Sequence, residues 1–355
     1  MLACASAWRE RTGVDVAWDW RSLEAFGDQP LEEVAPHYDL LVIDHPFCGT
    51  AAATGCLQPF DALLSRGELD ALAHDAVGPT HASYWYAGHQ WGLATDAACQ
   101  VSAIRDDLLD APAPETWDDV LGLARSIPGR VALPLAPAHA VSSFLTLCAN
   151  HGEPAAVGER LVGREVGICA LSILGELHRL GPAEATSWEP PAVLERLADA
   201  GELSYVPLTY GFVTHAHRCR FLDIPSAGHG PRGAVLGGAG LAISAASTRP
   251  AEAAAFAAWA SGAEAQRAVV AAAGGQPGSR SAWLDSDLDH AAGGFYSGTL
   301  ATIEAAWVRP REPWWPSFQL ACGRLLSAAL RDETAPADLY ERLDILYRDR
   351  SRRAV

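Results

Sequence analysis

Apolar positions recur along the chain in distinct rhythms, and each rhythm predicts an element. Residues 2–12 carry a helical pattern that Gly13 ends. Val14-Asp15-Val16-Ala17-Trp18 alternates as a strand does, and Asp19-Trp20-Arg21-Ser22 closes it. A helix is expected from Asp28-Gln29-Pro30 to about Ala35. Tyr38-Asp39-Leu40-Leu41-Val42-Ile43-Asp44 is a nearly unbroken apolar run, the pattern of a buried parallel strand. It ends in Asp44-His45-Pro46, placing a carboxylate and an imidazole at the strand's carboxy end, where open α/β sheets bind ligands. Ala97 to Val101 reads as another strand. Thr116 is a credible N-cap, with Asp118 and Asp119 at the positive end of the helix that follows. Ala132 to Asn150 predicts a strand, a loop and an amphipathic helix with Ser142 and Ser143 at its amino end. Further helices are expected over Arg164–Arg179, from Trp188 down to Ala200, and over Leu320–Leu330 and Ala337–Tyr347.

The richest stretch is Gly237 to Trp283. A flexible Gly237-Gly238-Ala239-Gly240 approach leads into the short apolar strand Leu241-Ala242-Ile243-Ser244. After the turn Ser247-Thr248-Arg249-Pro250 comes a helix to about Gly262, with Trp259 on its apolar face. A second helix, from Ala263 to about Ala273, ends in Gly274-Gly275.

Composition narrows the class. A chain of 355 residues has room for two domains with a core each, and 49% hydrophobic with 19% charged residues excludes wholesale disorder. The formal charge is −17, and every basic residue is arginine. Such acidity argues against a nucleic-acid partner, which needs a basic surface; the mixed tail Arg348 to Arg353 is too short to reverse it. No apolar run reaches 18 residues, so no transmembrane helix is predicted. The opening residues lack the basic start, apolar core and cleavage site of a secretory signal. The eight cysteines are scattered without a Cys-x-x-Cys pair, a pattern of small buried thiols that suits a reducing compartment somewhat better than an oxidising one.

No familiar catalytic signature is found: no Gly-x-Ser-x-Gly, no phosphate-binding loop, no His-Glu-x-x-His and no Gly-x-Gly-x-x-Gly before a helix. His215 and His217, with His229 further on, lack a matched third ligand, so no metal and no cofactor is expected. His45 beside Asp44 could orient a ligand hydroxyl or move a proton, or be an ordinary hydrogen-bonded loop residue. Trp307, Trp314 and Trp315 stand with Arg309 and Arg311 in a proline-stiffened run. That run reads as a pocket wall, with core packing the alternative for one or two of the rings. Arg309 and Arg311 could hold a ligand carboxylate or pair with surface acids; Arg311 is the one taken as a ligand residue.

Several phrases in order along the chain resemble family-1 extracellular solute-binding proteins, the ligand-capturing subunits of sugar-type ABC importers. Gly237 to Ser244, Trp259, Glu264-Ala265-Gln266 and Gly278-Ser279-Arg280 match that family's carboxy-terminal signature. Tyr38 to Asp44, followed by Gly55 to Asp61, resembles its "YDLV" strand and "G-x-L-x-P-L-D" turn. Trp85 to Ala94 is similar to its "G-x-x-W/Y-G-L-P" hairpin, with Ala94 where proline is common. Pro114 to Val120 resembles its "P-x-T-W-D-E" helix start.

The resemblance implies an α/β, two-lobed periplasmic-binding-protein-like fold of type II with an interdomain ligand cleft. One lobe would hold residues 1–92 plus about 206–300, with Tyr205 to Gly211 re-entering it. The other would hold about 93–205 plus 301–355. The implied function is capture of a carbohydrate-like ligand by Asp19, Asp44, His45, Asp96, Tyr210, Trp307, Arg311 and Trp314, as a monomer that performs no chemistry, with an ABC permease as partner. Asp96 would accept sugar hydroxyls or cap the hinge. Two alternatives stay open: a cytoplasmic enzyme on the same fold, using Asp44, His45 or Asp96 in a condensation or cyclisation, and a ligand sensor. The family also has an amino-terminal strand with no counterpart here. An upstream segment is therefore expected, which would place the protein outside the cytoplasm; as the chain reads, it is cytoplasmic.

Overall fold

The computed structural model describes residues 1–22, 26, 29–109, 111–198 and 202–352. The expected helix start at Asp28, the helix end at Ala200 and the tail residue Arg353 lie outside the described residues. In chain order the strands are β1 (Leu40–Ile43), β2 (Leu57–Gln58), β3 (Trp85–Tyr86), β4 (His89–Gln90), β5 (Leu93–Asp96), β6 (Gln100–Ile104), β7 (Tyr205–Tyr210), β8 (Arg220–Leu222) and β9 (Ala239–Ser244). The chain forms two compact units. The first comprises Met1–Ala97, Gly237–Ala291 and Arg309–Pro313; the second comprises Ala98–Leu236, Ala292–Val308 and Trp314–Val355.

In the first unit β9 is the central strand. It pairs antiparallel with β1 (Leu40 opposite Ile243, Ile43 opposite Gly240), with β2 and with β5. Alternation sorts its side chains onto two apolar clusters. Leu241 and Ile243 pack with Trp8, Phe60, Leu93 and Phe256, while Ala242 joins Leu41, Ile43, Phe47 and Trp91 on the other face. Burying a residue such as Ile243 contributes about 1.5–3 kcal/mol, and register matters because a slip of one residue would exchange the two faces. The Pro250–Ser261 helix supplies Phe256, and the Leu2–Thr12 helix lays Trp8 edge-on against it at 5.8 Å.

Gln266 sits fully buried in a π-helical turn, Gln266–Ala271. Its Nε2 donates to the Ala260 carbonyl at 2.6 Å and its Oε1 accepts the Gly278 N–H at 2.6 Å. Two phrases that read separately in the sequence, Glu264-Ala265-Gln266 and Gly278-Ser279-Arg280, are thus one hydrogen-bonded unit.

The second unit has a smaller antiparallel sheet, β7-β6-β8, and a layer of helices. The Pro137–Asn150 helix is its buried axis, packed against the Arg164–Leu180 and Trp315–Arg331 helices. Neutral polar groups lace it in place. Gln100 donates to Ser143 at 3.0 Å and accepts from Thr146, whose hydroxyl also takes the Val235 N–H at 2.9 Å. Asn150 accepts from Trp117 Nε1 and Ala227 N and donates to the Arg232 carbonyl at 2.7 Å, fastening the glycine-rich 226–233 loop.

Several expectations need correction. Val14 to Trp18 forms no strand; Val16 and Trp18 lean on the Phe256 cluster, so the alternation reflects packing without a ladder. Tyr38 to Asp44 contributes an antiparallel strand, because its neighbour is the returning β9. Tyr205 to Gly211 does not re-enter the first unit, since β7 pairs with β6. The division therefore departs from lobes of 1–92 plus 206–300 and 93–205 plus 301–355. Residues 93–97 stay in the first unit through β5. Residues 206–236 and 292–300 belong to the second, where Phe295 packs on Phe221 at 5.0 Å, and 309–313 return to the first. Ser142 and Ser143 lie inside their helix, which starts at Pro137.

Candidate functional site

The first unit gathers its ionisable groups where β1 ends. Asp44 leaves the strand and accepts the His45 N–H at 2.8 Å, opening the 3₁₀ turn His45–Phe47. Arg309 reaches the same carboxylate from 265 positions along the chain, with Nη2 2.8 Å and 2.7 Å from its two oxygens. Arg309 is 5% exposed and His45 is fully buried, its Nδ1 3.2 Å from Asp44 Oδ1 and its Nε2 without a hydrogen-bond partner. Burial opposes ionisation of Asp44, but Arg309 and then His45 override it and hold the carboxyl at about 2. Burial and the adjacent Arg309 cation push His45 down to about 4, against the pull of Asp44. At neutral pH the cluster is therefore an ion pair beside a neutral imidazole.

Tyr84 joins this cluster. Its hydroxyl donates to the Ile43 carbonyl at 3.2 Å, and it lies within electrostatic reach of Asp44, Asp96 and Arg309. Its ring lies so close to β9 that a Cβ on Gly240 would meet it at 2.6 Å, which accounts for glycine at that place in the strand. Asp96 stands at an irregularity in the β5–β9 pairing and accepts the backbone N–H of Gln276. Burial raises its carboxyl to about 7, so near neutrality it both donates and accepts.

The remaining expected residues are dispersed. Asp19 is exposed and accepts the Tyr38 hydroxyl at 3.0 Å. Arg311 directs Nη1 to the carbonyls of Ala82, Ser83 and Trp85 at 3.0–3.3 Å, and its own carbonyl occupies the space a Cβ on Gly49 would need. Residues 309–313 are thus fastened to the first unit at both arginines.

In the second unit Tyr210, partly buried at the end of β7, presents its ring to His139 at 5.9 Å and its hydroxyl to Ser142 at 3.5 Å. His139 hydrogen-bonds Glu189, and that bond lowers the Glu189 carboxyl below its ordinary range. Trp307 is partly exposed and bridges the 234–236 segment, donating its N–H to the Ala234 carbonyl at 2.7 Å. Trp314 packs edge-on to Trp315, Phe318 and Tyr347 at 5.7–5.9 Å, with the Arg350 guanidinium 5.1 Å from its ring centre.

Of the eight expected residues, the fold joins Asp44 and His45 directly, and Asp96 to them through Tyr84. Arg309 and Tyr84 were not among the eight. The Trp307–Pro316 run drew attention to Arg309 but could not show which arginine meets a carboxylate. No local signal marks Tyr84, because the Ile43 carbonyl and Gly240 that it meets lie far from it along the chain. No group of three His, Cys, Asp or Glu side chains able to hold a metal occurs among the described residues.

Comparisons with known proteins agree on one group. The profile of a family described as bacterial extracellular solute-binding protein matches residues 25–292. No curated protein sequence matches the chain. Among solved structures, a maltose-bound MalE3 of T. maritima superposes with a TM-score of 0.81 at 18% identity, covering 97% of this chain and 94% of that one. An ABC transporter solute-binding protein of Thermotoga lettingae bound with α-D-tagatose gives 0.83 at 16% identity, covering 98% and 95%. One from Agrobacterium vitis with bound D-mannitol gives 0.80 at 20% identity, covering 100% and 95%. The two units follow the two-lobed periplasmic-binding-protein-like fold.

Proposed function

The chain belongs to the bacterial extracellular solute-binding proteins, and on that premise we propose that it captures an uncharged, polyhydroxylated, carbohydrate-like ligand for an ABC-type importer. It acts as a monomer that hands its ligand to a permease. The observation that carries the ligand class is the charge balance around Asp44. Its carboxylate is matched by Arg309, His45 is neutral, and Asp96 titrates near neutrality, so this group offers hydrogen bonds with little net charge. The maltose, tagatose and mannitol of the similar structures are ligands of that kind. Asp96, Tyr210 and Trp307, each partly open within its own unit, are the residues assigned to the ligand, while the buried His45 and Arg309 hold the Asp44 carboxylate. The packing of Asp19, Arg311 and Trp314 within their own units supports a structural role for these three.

Calorimetry with maltose, tagatose and mannitol tests this reading. Binding of at least one is expected, weakened by about 1–3 kcal/mol in Trp307→Ala and unchanged in Trp314→Ala if that variant folds. Binding of an amino acid or a carboxylate in place of any sugar or polyol would show the ligand class to be wrong.

A further inference from the structure

A concavity lies wholly within the first unit, and Asp44, His45, Asp96 and Arg309 are not in its lining. It is a surface groove of about 580 Å³ between the Arg66–His74 helix, the Thr80–Ser83 turn of helix and the β3–β4 hairpin. That is within the roughly 300–1,000 Å³ of small-molecule sites. Leu64, Leu69, Ala73 and Ala82 give it an aliphatic floor, and Trp85 stands in its wall with 48% of its surface exposed. A half-exposed indole beside an aliphatic floor is the surface a flat ring covers well.

The charged groups at the groove differ in how far they are engaged. Asp61 accepts from His89 Nδ1 at 2.7 Å and from the Gln90 N–H at 2.8 Å. Arg66 and Asp70 face one another at 3.6 Å in open solvent. Gln90 donates both side-chain hydrogen bonds to carbonyls, those of His81 and Gly92. His81 differs: its ring lines the groove, and neither ring nitrogen has a hydrogen-bond partner among the described residues. Burial keeps that imidazole below its ordinary range, so at neutral pH it is uncharged, one nitrogen donating and the other accepting.

We propose that this groove is a binding site for a small, uncharged aromatic molecule carrying one hydrogen-bonding group, a phenol or an indole. The ring lies along the Trp85 indole over Leu64 and Leu69, and its single polar group meets His81. A sugar fits less well, because hydroxyls laid over Leu64 and Leu69 would leave water without partners there. Arg66 and Asp70 are 94% and 71% exposed, so a charged group meeting them would stay in water and gain little. The site is independent of the sugar-capture reading above.

The test follows the indole ¹⁵N–¹H signals of the twelve tryptophans during titration with phenol, with indole and with maltose. The Trp85 signal is assigned by its loss in Trp85→Phe. Phenol and indole should shift it saturably with a Kd of about 1 mM or tighter. Leu69→Asp and His81→Phe should each weaken binding about tenfold while leaving the circular dichroism spectrum unchanged. The proposal is overturned by no saturable shift up to about 10 mM probe, or by equal binding in wild type and both variants. A saturable maltose shift dependent on Leu69 and His81 would overturn it too.

Discussion

Two polar clusters, one in each unit, are held together by different chemistry. The first relies on ionised groups, the Asp44 carboxylate gripped by Arg309 beside the uncharged His45. The second relies on neutral amides and hydroxyls, Gln100, Ser143, Thr146 and Asn150, along the face of one buried helix. The distinction matters because an amide network loses one hydrogen bond at a time. A charge pair that loses one partner leaves a largely buried ion unpaired. The strap of the first unit, residues 309–313, is therefore held at Arg309 by an all-or-nothing contact and at Arg311 by separate hydrogen bonds, while the second unit fastens its glycine-rich loop by a graded network.

The sharpest way to break the comparison is Arg309→Met. It should destabilise the protein by about 3–5 kcal/mol in urea unfolding at neutral pH. With the guanidinium gone, burial is opposed by His45 alone, and the folded-state carboxyl of Asp44 rises. A group so raised contributes most in acid and least at high pH, so the deficit should shrink as pH falls. Adding Asp44→Asn should recover part of the loss, and a double variant no better than the single one would mean that charge is not the cause. In the second unit, Asn150→Ala should cost about 1–3 kcal/mol with little dependence on pH. A pH-dependent loss there would erase the contrast between the units.

Asp96 sharpens the comparison by pH alone. Its folded-state carboxyl is raised to about 7, against an ordinary value of about 3.9. Its contribution to stability is thus complete below about pH 4 and fades as pH rises through about 7. Asp96→Asn should lack that decline, so its melting temperature gains on the wild type across this window. Parallel pH profiles for the two proteins would sink the assignment. The smallest effects belong to the two capping boxes, Ser65 with Glu68 in the first unit and Thr116 with Asp119 in the second. Both are exposed and local, so Ser65→Ala and Thr116→Ala should each cost about 1 kcal/mol, the same in either unit.

Those caps also mark what could be read from sequence. Thr116 and its helix were legible because a cap and its partner lie three residues apart. The 239–244 strand and the 250–261 helix were legible because their periodicities are local. The Asp44–Arg309 pair was not, since nothing near either residue says which arginine will arrive. Val14 to Trp18 shows the same limit from the other side. Its alternation correctly sets Val16 and Trp18 against apolar neighbours, yet alternation carries no information about whether a strand lies alongside to pair with. The expected boundary near 206 failed likewise, because β7 could be assigned to a sheet only by knowing that β6 is its partner. For the candidate site, the carboxylates and the imidazole were visible as residue types. Their charge states depend on burial and on long-range neighbours such as Arg309, which no short motif encodes.

The central position of β9 has a consequence for how the chain is made. β1, β2 and β5 all lean on a strand that leaves the ribosome about 140 residues after β5, roughly 7–30 s later at bacterial elongation rates. Through that interval three strands have emerged without the neighbour their ladders require, while the residues of the second unit's sheet are already being delivered. The nascent chain should therefore be most vulnerable to aggregation in the middle of its synthesis, and most dependent then on chaperones. Slowing translation between residues 97 and 239 should lower soluble yield more than slowing it after Ser244.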